Sequence, residues 1–125
     1  MKLSFSKQDQ NLSKSNINKL YKAGVRFHGS QLTIIWGESD SQTEDPIKVL
    51  ISVPKKNIKK AVDRNYTKRV IREGFMANKL QIYSLPLKPL EIIIIYNKST
   101  LPEFNKLKTE LLHLLNLITL NETNT

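Results

Sequence analysis

The sequence predicts an α+β fold, a small mixed β-sheet packed with helices in the order α-β-β-α-β-α. Three observations carry this reading. Two short β-branched segments, Gln31–Trp36 and Ile47–Val53, precede a long proline-free stretch with helical periodicity. Four consecutive isoleucines, Ile92–Ile95, read as a strand buried on both faces. A leucine-rich segment with helical spacing then closes the chain. The 125 residues suit one domain, 1–125, with a single modest core, ordered over about 12–118.

Met1–Gln10 is polar and expected to be loose. Ser13 or Ser15 can cap a first helix over Asn16–Ala23, stopped by Gly24, with Ile17, Leu20 and Tyr21 on one face. A short extra strand fits Val25–His28. Gln31–Trp36 is β-branched and aromatic, and Ile47–Val53 ends at Pro54. These two strands are expected to form a hairpin across the turn-rich acidic loop Gly37–Pro46.

Asn57 to about Lys79 reads as the main helix. Ile58, Val62, Tyr66 and Val70 recur at i+4 and predict its buried stripe. Arg64, Lys68 and Arg72 recur at i+4 on the far side as a basic ridge, flanked by Asn65 and Arg69. Ser84–Pro89 is a connector before the strand Leu90–Tyr96. Thr100-Leu-Pro-Glu103 resembles a helix start. Phe104, Leu107, Leu111, Leu114, Leu115 and Ile118 form the apolar face of the helix that follows, and Asn121–Thr125 is expected to fray.

The charge is concentrated. Lys55, Lys56, Lys59, Lys60, Arg64, Lys68, Arg69 and Arg72 stand against one acid, Asp63, so this short segment holds +7 of the formal +9. An excess serving solubility alone would be spread over the chain. A basic ridge on a rigid helix can engage several backbone phosphates at once, and arginine adds bidentate geometry. Nucleic acid is therefore the expected partner, ahead of an anionic membrane surface. Tyr21, Phe27 and Trp36 are candidates for stacking on bases.

Catalytic chemistry has little to build on. The chain has no cysteine, which excludes disulfides, thiolate metal sites and a thiol nucleophile. His28 and His113 show no spacing that pairs them as base and acid. The acidic group Glu38, Asp40, Glu44 and Asp45 lacks the spacing of a calcium loop. Gly24, Gly29, Gly37 and Gly74 form no phosphate-binding loop. No apolar run approaches the roughly 18–20 residues of a membrane span, and Met1-Lys-Leu-Ser4 lacks an apolar signal region, so a cytoplasmic protein is expected.

The run Val53-Pro-Lys-Lys-Asn-Ile-Lys-Lys-Ala-Val-Asp-Arg-Asn-Tyr-Thr-Lys-Arg-Val-Ile-Arg-Glu73 resembles the signature of the protein-subunit family of bacterial ribonuclease P. Val53, Lys55, Lys56, Ala61, Val62, Arg64, Asn65, Lys68, Arg69, Arg72 and Glu73 carry the match. Two departures stand out: Tyr66 occupies a position that is usually basic, and Pro54–Lys60 is a residue longer than in many members. The resemblance implies a ribosomal-protein-like α+β sandwich with a left-handed βαβ crossover, against the common rule. It also implies that a large RNA subunit is the catalyst, using RNA-bound Mg2+ to remove the 5′ leader of precursor tRNA, with no catalytic residue and no metal ligand on the protein. The protein would act as a monomer, one per RNA. It would bind that RNA through the matched residues Lys55, Lys56, Arg64, Asn65, Lys68, Arg69 and Arg72, to which Lys59 and Lys60 are added from the same basic segment. Tyr21 matches an aromatic position lining the family's leader cleft; Phe27 and Trp36 are added from strand placement. The alternatives are a non-catalytic, ribosome-associated RNA-binding protein of similar fold, or a basic amphipathic helix lying on an anionic membrane.

Overall fold

A computed structural model describes residues 14–38, 47–83 and 90–123. The elements are α1 (Lys14–Ala23), β1 (Val25–His28), β2 (Leu32–Glu38), β3 (Ile47–Ser52), α2 (Ala61–Tyr83), β4 (Leu90–Tyr96) and α3 (Phe104–Thr123). The fold is α+β, with β1 added to the expected order. Met1–Gln10, the connector Ser84–Pro89 and most of the acidic loop lie outside the described residues. The last helix continues to Thr123, past the expected fraying point.

The four strands lie in the order β1-β2-β4-β3. β2 pairs antiparallel with β1 and β4, and β3 runs parallel to β4. The expected hairpin between β2 and β3 is therefore not formed, because β4 inserts between them. The hairpin is β1–β2, turning at Gly29–Gln31. The parallel pair β3 and β4 needs a crossover, and α2 supplies it.

The Ile92–Ile95 run follows from this order. β4 is a central strand covered on two sides. Ile92, Ile94 and Tyr96 face the larger core with Leu32, Ile34, Val49 and Ile51, under α2 and α3. Ile93 faces the smaller core with Ile35 and Leu20 of α1. Each fully buried Ile or Leu contributes about 1.5–3 kcal/mol, so the larger core dominates stability.

The buried stripe of α2 also differs from expectation. Val62 is 71% exposed and Tyr66 39% exposed, whereas Thr67, Val70, Ile71, Phe75 and Asn78 are buried. Thr67 and Asn78 can enter the core because each donates back to the helix, Thr67 Oγ1 to Asp63 O at 2.8 Å and Asn78 Nδ2 to Gly74 O at 3.0 Å. Ile58 is buried ahead of the helix, as a plug from the preceding loop.

Two close approaches fix the hairpin and α1. A Cβ on Gly24 would lie 2.6 Å from Leu20 O and 2.8 Å from Ile35 Cγ2. A Cβ on Gly29 would lie 2.6 Å from Glu110 Oε2. That carboxylate, on α3, accepts hydrogen bonds from Gln31 N at 2.8 Å, Leu32 N at 2.7 Å and Ser30 Oγ at 2.7 Å. It ties the β1–β2 turn to the last helix.

Candidate nucleic-acid interface

The cationic surface begins where β3 ends. Val53 is buried, Pro54 turns the chain, and Asn57 N and Ile58 N both donate to Pro54 O, at 3.0 and 3.1 Å. Asn57 Nδ2 donates to Tyr96 O at 3.0 Å, and Ile58 plugs the core. With those residues held inward, Lys55, Lys56, Lys59 and Lys60 all stand exposed. An open groove of about 380 Å3 lies between this loop and the β4–α3 connection, lined by Lys56, Lys59, Lys60, Ser99 and Leu101 with one acid, Asp63.

Arg64 locks the loop to the helix. Its Nη1 donates to Ile58 O at 3.0 Å and Lys59 O at 2.7 Å. The guanidinium so engaged is a brace, and its lysine neighbours are displayed because of it. Lys68 and Arg72 are half-buried along the border of α2, while Asn65 and Arg69 are exposed on its outer side. The ridge expected from Arg64, Lys68 and Arg72 is thus a flank, and the outermost cation among them is Arg69. The Arg69 guanidinium carbon lies 5.7 Å from the centroid of the Tyr66 ring, within cation–π range.

The three aromatic candidates do not share a cleft. Trp36 is only 5% exposed and belongs to the larger core, so it offers no face for stacking. Phe27 is half-buried against the same core, on the α2–α3 side of the sheet. Strand placement misassigned both because alternation reverses the face: Phe27 opposes Ile34 in the register, and Ile34 faces the larger core. Tyr21 is 42% exposed on α1, over the opposite face.

That opposite face carries residues the sequence did not flag as a group. Arg26 Nη2 donates to Tyr21 O at 2.6 Å, with its guanidinium carbon 5.6 Å from the Tyr21 ring centroid. The next row of the sheet holds His28, Thr33, Ile95 and Ser52. His28 Nδ1 lies 3.2 Å from Thr33 Oγ1, which accepts from Asn97 Nδ2 at 2.9 Å. α1 covers Ile35 and Ile93 but leaves His28 exposed and Ile95 and Ser52 half-exposed. This strip ends at Ser52, two residues before the turn that starts the lysine loop. The row is revealed only by the strand registers, with β1–β2 centred between Ser30 and Gln31.

Among the described residues, no group of three or more His, Cys, Asp or Glu is placed to hold a metal ion. No described helix is long and apolar enough to cross a membrane. The surface is suited to gripping an extended polyanion, with positive charge on a fixed scaffold beside a mixed polar and apolar strip.

Comparison with known proteins shows the family. A family model described as Ribonuclease P matches residues 5–119. A ribonuclease P protein component from Chlorobium phaeobacteroides is 31% identical over 119 residues, covering 85% of this chain and 82% of that protein. One from Aliivibrio fischeri is 32% identical over 117 residues, covering 90% and 93% respectively. The solved RNase P protein of Staphylococcus aureus shares the fold with a TM-score of 0.69 at 24% identity, covering 90% of this chain and 96% of that one. The RNase P protein of Thermotoga maritima gives 0.68 at 24% identity, covering 85% and 94%. With nearly the whole chain matched, the protein belongs to the ribonuclease P protein family and is the protein component of that tRNA-processing ribonucleoprotein.

Proposed function

We propose that the lysine loop and the outer side of α2 bind the catalytic RNA subunit, and that the strip beside α1 takes the single-stranded 5′ leader of precursor tRNA. The observation that carries this is the braced cationic surface. Lys55, Lys56, Lys59 and Lys60 are held outward by bonds among Pro54, Asn57, Ile58, Arg64 and Tyr96. Such a loop has little order left to gain on binding, which favours affinity. Tyr21 with Arg26, and the row of His28, Ile95 and Ser52 around the buried Thr33, offer a stacking face, a cation and hydrogen-bonding groups to an extended strand.

We assign phosphodiester hydrolysis to the RNA subunit, where bound Mg2+ would activate the attacking water. This chain's residues bind and orient the two RNAs; none is given a proton to move, and no step runs through a protein-held ion. One copy acts per RNA, in the cytoplasm.

The test is RNA binding over a salt series. Changing Lys55, Lys56, Lys59 and Lys60 together to Ala should flatten the log–log salt slope for ribonuclease P RNA by about 3, at roughly 0.7–0.9 per phosphate contact. An unchanged slope would mean that the loop is only a solvated face. Leader-bearing precursor should bind the holoenzyme more tightly than mature tRNA, and equal binding would remove the leader strip from the proposal.

A further inference from the structure

The outer side of α2 is not uniformly polar. Val62 is 71% exposed and Tyr66, one turn on, is 39% exposed. Neither is needed by the core, whose α2 contribution comes from Val70, Ile71 and Phe75. The pair sits on α2 among Asn65, Lys68 and Arg69. Arg69 lies over the Tyr66 ring at 5.7 Å. A phosphate-binding row would place a cation at position 66, and a solvated row would place a small polar residue there. A large ring held by an arginine, with an exposed β-branched residue beside it, fits a ligand that is anionic along its backbone and flat and apolar at its side groups. An unpaired nucleotide has both properties, whereas a duplex hides its base faces.

We propose that Tyr66, backed by Arg69 and flanked by Val62, is a stacking platform for an unpaired nucleobase of the RNA subunit. This rests on the reading that the α2 surface binds that RNA. Lys68 and Arg69 take the phosphates on either side of the stacked nucleotide. The site therefore selects a loop, bulge or extruded base. A stacking ring gives the RNA a salt-insensitive contact beside the salt-sensitive ones of Lys68 and Arg69.

Salt dependence separates the two kinds of contact, because stacking releases no counterions. Affinity for ribonuclease P RNA is measured over a salt series for the parent protein and for Tyr66→Ala, Tyr66→Phe and Tyr66→Arg. Tyr66→Ala should bind about 5- to 100-fold more weakly with an unchanged slope. Tyr66→Phe should recover most of that loss. Tyr66→Arg should steepen the slope by roughly 0.7–0.9 and stay weak at high salt. The proposal is overturned if Tyr66→Ala binds like the parent, if its slope flattens (the ring then only positions Arg69 on a phosphate), or if Tyr66→Arg matches the parent at high salt. A parent protein that fails to bind the RNA would overturn the RNA-subunit reading itself.

Discussion

Replacing Arg64 separates a brace from a phosphate ligand. Its Nη1 makes two hydrogen bonds to loop carbonyls, Ile58 O at 3.0 Å and Lys59 O at 2.7 Å. Bonds from a charged donor reach about 1.5–3 kcal/mol each in sheltered sites. Here one bond is exposed and the other half-buried, so screening reduces the pair to about 1–2 kcal/mol in total. At this chain length each kcal/mol moves the thermal midpoint by roughly 3–6 °C. Arg64→Ala should therefore lower the midpoint by several degrees and speed hydrogen exchange at Asn57 N and Ile58 N, which are bonded to Pro54 O. Arg64→Lys keeps the charge but loses the planar fork, and should behave like Arg64→Ala in both measurements. RNA affinity should fall in both variants, because the loop lysines lose their fixed display. If Arg64→Lys restores stability, exchange protection and affinity, or if Arg64→Ala melts like the parent, the bracing argument is wrong.

Three further outcomes follow from the scaffold. Glu110→Gln leaves three donors, Gln31 N, Leu32 N and Ser30 Oγ, facing a neutral amide, and should cost about 2–4 kcal/mol in chemical denaturation; a loss below 0.5 kcal/mol, on the same order-of-magnitude scale, would deny the tie between the turn and α3. Gly24→Ala drives a methyl into Leu20 O and Ile35 Cγ2 and should displace α1, read as a lower midpoint and greater exchange in α1; a midpoint equal to the parent's would contradict the close approach. Burial, then the nearby Glu110 carboxylate, raise the Tyr96 phenol above its ordinary value of 10.0, against an opposing hydrogen bond from the Thr100 side chain. The unfolded chain therefore ionises first, and this part of the stability is intact below pH 10 and lost as pH climbs through the folded-state value. Tyr96→Phe should flatten that alkaline decline; an identical decline would assign it to other groups.

The elements legible from sequence were those with local causes. The isoleucine run marked the central strand, Gly24 marked the end of α1, and the dense match from Val53 to Glu73 marked the family. The expected β2–β3 hairpin failed because β4, distant in sequence, pairs with both strands. No local pattern encodes that insertion. The α2 stripe was misread because Thr67 and Asn78 satisfy their polar atoms on the helix's own carbonyls and so pass as core residues. Trp36 resembled a platform until the sheet order made β2 a central strand. Arg64 could be read as cationic, but its brace role depends on the path of the preceding loop.

The central claim is that this protein works by holding RNA while the RNA subunit performs the hydrolysis. Leader removal from precursor tRNA, measured with purified protein, ribonuclease P RNA and Mg2+ at moderate salt, tests it most directly. The account predicts no cleavage by the protein alone and, with the RNA subunit present, a protein-dependent gain in cleavage that is lost when Lys55, Lys56, Lys59 and Lys60 are all changed to Ala. Cleavage by the protein alone, or an RNA whose activity and substrate affinity are the same with and without the protein, would contradict it.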